Sequence, residues 1–150
     1  MFGLVIWDAR RKTLIIARDR FGEKPIYYAQ TPSAFVFGSE MKALMEHPAV
    51  SRDMDRTALA AYLRHEYVPA PATIFSGVKK LPAGHIMTVT SGGVKIRRYW
   101  DIAVASTDPT LPSSEDALTT ELDTRLSSAV KKMLVSDVPL GVFLSGGIDS

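Results

Sequence analysis

Val138–Ser150 reads VPLGVFLSGGIDS, and the architecture of the second half of the chain turns on it. Val138 to Leu144 is a short apolar run with Pro139 near its start and glycines at its end, the pattern of a fully buried strand in a parallel sheet. Ser145, Gly146 and Gly147 then interrupt the run. Adjacent glycines lack the Cβ atoms that hold a ligand off the backbone and they permit positive φ, so successive N–H groups can converge on an anion. Ser145 and Ser150 put hydroxyl donors on either side. A helix starting at Asp149 or Ser150 would aim its first N–H groups and its positive dipole end at the same spot, which favours phosphate.

A second copy of the tripeptide serves as a control. Ser91-Gly92-Gly93 lies between HIMTVT and VKIRRYW, two runs with alternating apolar residues, and reads as a hairpin turn. The terminal copy differs in the apolar run before it and in Asp149-Ser150 after it. It is not a Walker A loop, which needs a lysine on the β and γ phosphates. SGGIDS instead resembles the pyrophosphate-binding loop of the ATP pyrophosphatases, enzymes that split ATP between the α and β phosphates and adenylate an oxygen of their substrate. The resemblance implies that Ser145, Gly146, Gly147 and Ser150 grip pyrophosphate and that Phe143 contacts the nucleotide. It makes Asp149 a Mg²⁺ ligand, since a carboxylate beside a polyphosphate is repulsive unless a cation lies between them.

Working back from this loop, Leu118, Leu122, Leu126, Val130, Met133 and Leu134 repeat at three or four residues, the stripe of one packed core helix. Ser113 or Ser114 caps it, Glu115 and Asp116 fall in its first turn, and Lys131 and Lys132 lie near its end, as the macrodipole favours. Helix, strand and glycine loop in series open a doubly wound α/β domain, with the ligand at the strand's carboxyl end. Ala103 to Ser114 is poor in large apolar residues and rich in Ser, Thr, Asp and Pro, so it reads as a linker.

The first hundred residues follow another plan. Four strands are expected, at Phe2–Trp7, Thr13–Ala17, Pro25–Gln30 and Ala34–Gly38, joined by links too short for crossover helices and therefore antiparallel, as a meander. The loop ARDRFGEKP over 17–25 reads as a solvated turn with an Arg18–Asp19 or Asp19–Lys24 ion pair. Met41–Glu46 is expected to be a short helix stopped by Pro48. Asp55 caps a second helix whose apolar face carries Leu59, Tyr62, Leu63 and Tyr67. Thr73 to Asp101 reads as three short strands. His47, His65 and His85 show no metal-site spacing and are read as local.

The string WDARRKTLIIARDRFGEKPIYY, followed by FVFGSEMKAL, closely resembles the later part of the glutaminase domain of glutamine-hydrolysing asparagine synthetases, and TIFSGVKKLPAGH through RYWD extends the likeness. With SDVPLGVFLSGGIDS it covers nearly the whole chain. The resemblance implies residues 1–101 as the C-terminal portion of a glutamine amidotransferase type 2 domain, 102–112 as linker and 113–150 as the start of the ATP-binding domain. The implied fold is the C-terminal part of an α+β N-terminal nucleophile hydrolase sandwich, followed by the first helix and strand of an α/β ATP-pyrophosphatase domain.

The implied reaction is ATP-dependent asparagine synthesis from aspartate and glutamine through a β-aspartyl-AMP intermediate. ATP and Mg²⁺ take part, the partners are small molecules, and a homodimer is allowed. No glutaminase catalytic residue is assignable, because the family's cysteine nucleophile is absent from this stretch. Both ends look cut, so the chain alone is expected to be an inactive piece of a longer enzyme. The rival readings are a related amidotransferase or β-lactam synthetase-like enzyme adenylating another carboxylate, a different pyrophosphate-loop enzyme, and a non-catalytic binding protein retaining the fold.

Bulk properties narrow the field. A net charge of +2 spread over the chain argues against nucleic acid or an acidic membrane as partner. No apolar run approaches the roughly 20 residues of a membrane helix. The absence of cysteine excludes disulfides and thiol chemistry within the stretch and fits a reducing, cytoplasmic setting.

Overall fold

A computed structural model describes residues 1–102, 112 and 114–148. The chain divides into two compact units, Met1–Ala103 and Val104–Ser150.

The first unit is an antiparallel α+β assembly. β1 (Gly3–Asp8) and β2 (Thr13–Arg18) are rich in Ile, Leu and Val and pair from Gly3↔Arg18 to Asp8↔Thr13. Asp8 closes their turn, its Oδ1 accepting the N–H groups of Arg10 and Arg11 at 3.0 and 2.9 Å. β3 (Tyr27–Gln30) and β4 (Phe35–Gly38) form a second hairpin, in which Thr31 Oγ1 accepts the Ala34 N–H at 2.9 Å. α1 (Met41–Met45), α2 (Arg56–His65), β5 (Lys79–Lys80), β6 (His85–Thr90) and β7 (Gly93–Arg98) follow. The Ser91-Gly92 turn closes the β6–β7 hairpin between Thr90 and Gly93, as expected of that copy of the tripeptide.

The four-strand meander does not form. The sheets have orders β1-β2-β6-β7 and β4-β3-β5, so β2 pairs with β6, more than sixty residues along, and the two N-terminal hairpins lie in different sheets. Apolar alternation marks each strand but leaves its neighbour open. The charged loop after β2 turns the chain out of the first sheet, and β6 takes the vacant edge with the pairings Ile16↔Met87 and Leu14↔Val89.

Two apolar clusters fix the layers. Ile16 and Met87 of the first sheet meet Ile26, Tyr28 and Leu81, with Leu14, Phe35, Val89 and Val94 against them, which places one core between the sheets. Ala29, Val78, Leu44 and Val50 form a second cluster, with Val36 and Met41 packed on it, between the other face of β3–β4 and α1. Asp55 caps α2, its carboxylate accepting the N–H groups of Thr57 and Ala58. The expected buried face of α2 is displaced: Tyr62, Leu63 and Tyr67 are exposed, and Ala58 is its buried residue. Small Ala58 allows close approach of that side, and the large residues are left outside.

β1 is an edge strand, and Leu4, Val5, Ile6 and Trp7 are all 40–59% exposed. Its register has a direction. The Asp19 N–H donates to the Phe2 carbonyl at 3.0 Å, so Leu4 and Ile6, in the same phase, turn their peptide groups to β2. Gly3, Val5 and Trp7 then turn theirs to the outer edge.

In the second unit, α3 (Glu115–Met133) starts at Ser114, whose Oγ accepts the Ala117 N–H at 3.3 Å. Glu121 and Arg125 pair at 2.6 Å one turn apart. The helix is as expected, but its packing is not: Leu118, Leu122, Leu126, Val130 and Met133 are all exposed. Nor is Val138–Leu144 a strand; this segment is irregular and exposed. A parallel strand exists only with neighbours that accept its ladder, reached through crossovers of a dozen residues or more, and the described residues of this unit supply none. No helix among the described residues is long and apolar enough to cross a membrane.

Candidate functional site

Polar interactions in the first unit converge on Arg18 and Asp19. Asp19 is buried, 4% exposed, although it lies in the charged loop. Its Oδ1 accepts the N–H groups of Phe21 and Glu23 at 3.2 and 3.0 Å, and its Oδ2 those of Phe2 and Lys24 at 3.2 and 3.0 Å. Burial alone would raise the carboxyl's pKa, but the amides of Lys24, Glu23, Phe2 and Gly22 outweigh it and hold the group at about 2. Arg18 acts in the opposite sense. Its Nε donates to the Lys24 carbonyl at 2.9 Å, Nη1 to Leu81 at 2.7 Å and Nη2 to Gly22 at 2.6 Å.

The expected ion pair is thus replaced by a two-sided backbone clamp: the carboxylate gathers amides and the guanidinium gathers carbonyls. Residues 20–24 turn back on Asp19, and Gly22 adopts φ +71°, so the backbone donors reach the carboxylate before any cation does. The turn at 81–84 joins the clamp. The Gly84 N–H donates to the Asp19 carbonyl at 2.8 Å, while the Gly84 carbonyl accepts from Tyr99 and Trp100 at 2.8 and 3.2 Å. Gly84 has φ +66°, and a Cβ there would meet the Trp100 carbonyl oxygen at 2.6 Å, so this crossing requires glycine. The Tyr99 hydroxyl donates to the Arg18 carbonyl at 2.7 Å. Phe21 lies edge-on to Trp100 with centroids 5.1 Å apart, and Arg20 stands 5.8 Å over the same ring.

The sequence carries one signal for the clamp, a glycine three residues after the adjacent Arg18 and Asp19, which by itself reads as a solvated turn. The histidines are local, as read: His85 Nδ1 lies 2.7 Å from the Ala83 carbonyl and His47 Nδ1 accepts the Ala49 N–H at 3.3 Å.

In the second unit, the glycine loop is exposed throughout its described residues. Gly146 takes φ +76°, a positive φ that glycine permits, and the Gly147 N–H donates to Ser145 Oγ at 3.3 Å. Phe143 is fully exposed. Asp149 and Ser150 lie outside the described residues, so the implied Mg²⁺ ligand and the second hydroxyl have no geometry here. Among the described residues no group of three or more His, Asp or Glu could hold a metal ion.

Residues 1–100 match the family model for the glutamine amidotransferase domain. The chain belongs to the glutamine amidotransferase family. Residues 121–150 match a second model, that of asparagine synthase. Over its whole length the chain is 39% identical to asparagine synthetase [glutamine-hydrolyzing] 3 of Bacillus subtilis and covers 24% of that protein. It is 30% identical to putative asparagine synthetase [glutamine-hydrolyzing] 2 of Methanocaldococcus jannaschii, covering 29% of it. It is also 33% identical, over 99% of its length, to amidase chyE of Penicillium rubens, covering 22% of that protein. The chain thus spans about a quarter of the length of the curated relatives it matches. The clamp falls in the amidotransferase portion, and the glycine loop ends the asparagine synthase match.

Proposed function

We propose that the chain is part of a glutamine-hydrolysing asparagine synthetase, in which the first unit belongs to the half that frees ammonia from glutamine and the second to the half that activates aspartate. The observation that carries this reading is the succession of two family matches in one chain, amidotransferase over 1–100 and asparagine synthase over 121–150. The aspartate side-chain carboxylate attacks the α phosphate of ATP, pyrophosphate leaves, and ammonia displaces AMP from the β-aspartyl adenylate to give asparagine. Ser145, Gly146, Gly147 and Ser150 hold the pyrophosphate by hydroxyl and backbone N–H donors, and Phe143 contacts the nucleotide. Gly146 has a left-handed φ, a conformation from which anion-binding backbone concavities are built, which supports this assignment. Asp149 is the residue to hold Mg²⁺, which when bound offsets the charge on pyrophosphate.

In the protein from the complete reading frame, AMP and pyrophosphate release from Mg-ATP is expected to depend on aspartate and to yield asparagine. The 150-residue chain alone is expected to yield none; asparagine formed by the purified chain would overturn this division of labour. The chain is also similar to a protein named an amidase and not an asparagine synthetase, and we weigh one second reading beside the first, the same adenylating plan with a different carboxylate. AMP released with another carboxylic acid but not with aspartate would select it.

A further inference from the structure

The Arg18–Asp19 clamp ties together four separate segments. Through Asp19 Oδ2 it reaches the Phe2 N–H ahead of β1, through both side chains it folds the loop 19–24, and through the Leu81 carbonyl and the Gly84 N–H it holds the turn before β6. Gly84 in turn fixes Tyr99 and Trp100 just after β7. A cavity of about 310 Å³ opens beside the clamp, lined by Met1, Phe2, Asp19, Arg20, Phe21 and Glu23. Its walls are the loop and the lead into β1, which lie just past the named ends of β1 and β2. Their shape rests on one carboxylate and one guanidinium together with the backbone bonds from Asp19 to Phe2, Gly22 and Gly84.

We propose that Arg18 and Asp19 are positioning residues for glutamine hydrolysis, acting through the loop 19–24 and the backbone at Phe2; this rests on the glutaminase reading above. Ile16, Met87, Leu81 and Tyr28 pack on apolar contacts between the sheets, and none of them lends a side chain to the clamp. What the clamp adds is the placement of a polar surface. Displacements of about 1 Å in positioning elements can cost roughly 100-fold in rate, so a defect here is expected in glutamine kinetics.

Asp19→Asn is the informative variant. An amide keeps one acceptor oxygen but turns an NH₂ towards two of the four N–H donors, which opens half of the clamp. Arg18→Lys is the companion, since an ammonium cannot match a fork that serves three carbonyls. The protein from the complete reading frame would be assayed for asparagine formation with glutamine and, separately, with ammonia. Circular dichroism would establish that each variant is folded at the assay temperature. The expected result is a fall in kcat/KM for glutamine of about 10- to 100-fold with ammonia-dependent synthesis at the parental level. Unaltered glutamine kinetics in both variants would overturn the inference alone, as would an equal fall in ammonia-dependent synthesis. A parent protein that hydrolyses no glutamine would overturn the functional reading and the inference together.

Discussion

The two units carry apolar patterns of similar strength and use them differently. In the first, Ile16, Leu44, Leu81 and Met87 are fully buried; in the second, Leu122, Leu126 and Phe143 are 66%, 59% and 104% exposed. The difference lies in how each pattern finds partners. Antiparallel hairpins meet their neighbours within a few residues, so hairpins and a short return strand suffice for a core. A parallel strand and its covering helix require further crossover units, and the described residues of the second unit contain none. Patterning states what a segment would bury, while burial depends on which partners are present.

The sharpest test of this contrast is a pair of matched truncations. Ile16→Ala, at a fully buried site, is expected to cost about 2–5 kcal/mol, seen as a lower denaturant midpoint for the first unit. Leu126→Ala removes a comparable side chain from α3 and is expected to change stability by no more than about 0.5 kcal/mol. A large loss at Leu126 would show that the stripe is covered in solution and would erase the contrast.

Acid provides the next test. The pKa of Asp19 is about 2 in the folded chain against an ordinary 3.8, so the unfolded chain binds its proton first as the pH falls. The stabilisation is complete above about pH 4 and is lost as the pH falls through about 2, a contribution on the order of 2 kcal/mol. Asp19→Asn should flatten that acid limb in pH-dependent melting of the first unit. A limb of the same depth in the variant would assign it to other carboxylates.

The smallest effect is expected at the α2 cap. Asp55→Ala removes the acceptor for the Thr57 and Ala58 N–H groups and should cost about 1 kcal/mol, read from the denaturant midpoint and from helical circular dichroism. An unchanged midpoint would mean that packing at Ala58 holds α2 without its cap.

What could be read from the residues alone follows the range of the interactions involved. Asp55 and Ser114 were legible as caps because a cap is decided within three residues, and Ser91-Gly92 as a turn because the runs flanking it alternate. The exchange of β3 for β6 beside β2 was not legible, since the pairing of Ile16 with Met87 spans more than seventy residues. The clamp was missed for another reason. Adjacent opposite charges suggest each other as partners, yet Arg18 and Asp19 are both saturated by backbone groups that reach them only after the loop has folded back. At the glycine loop, adjacent glycines signal a permitted positive φ, which Gly146 adopts, whereas the strand expected to lead into it depends on neighbours that no local pattern provides.

The outer edge of β1 has a practical consequence for anyone who concentrates this chain. Between Gly3 and Trp7 no lysine, proline or bulge interrupts a line of outward-turned peptide groups flanked by exposed Leu4, Val5, Ile6 and Trp7. Natural sheets disarm such margins because they nucleate fibrils. Concentrated preparations therefore present, along β1, the kind of margin to which a second copy can add a strand.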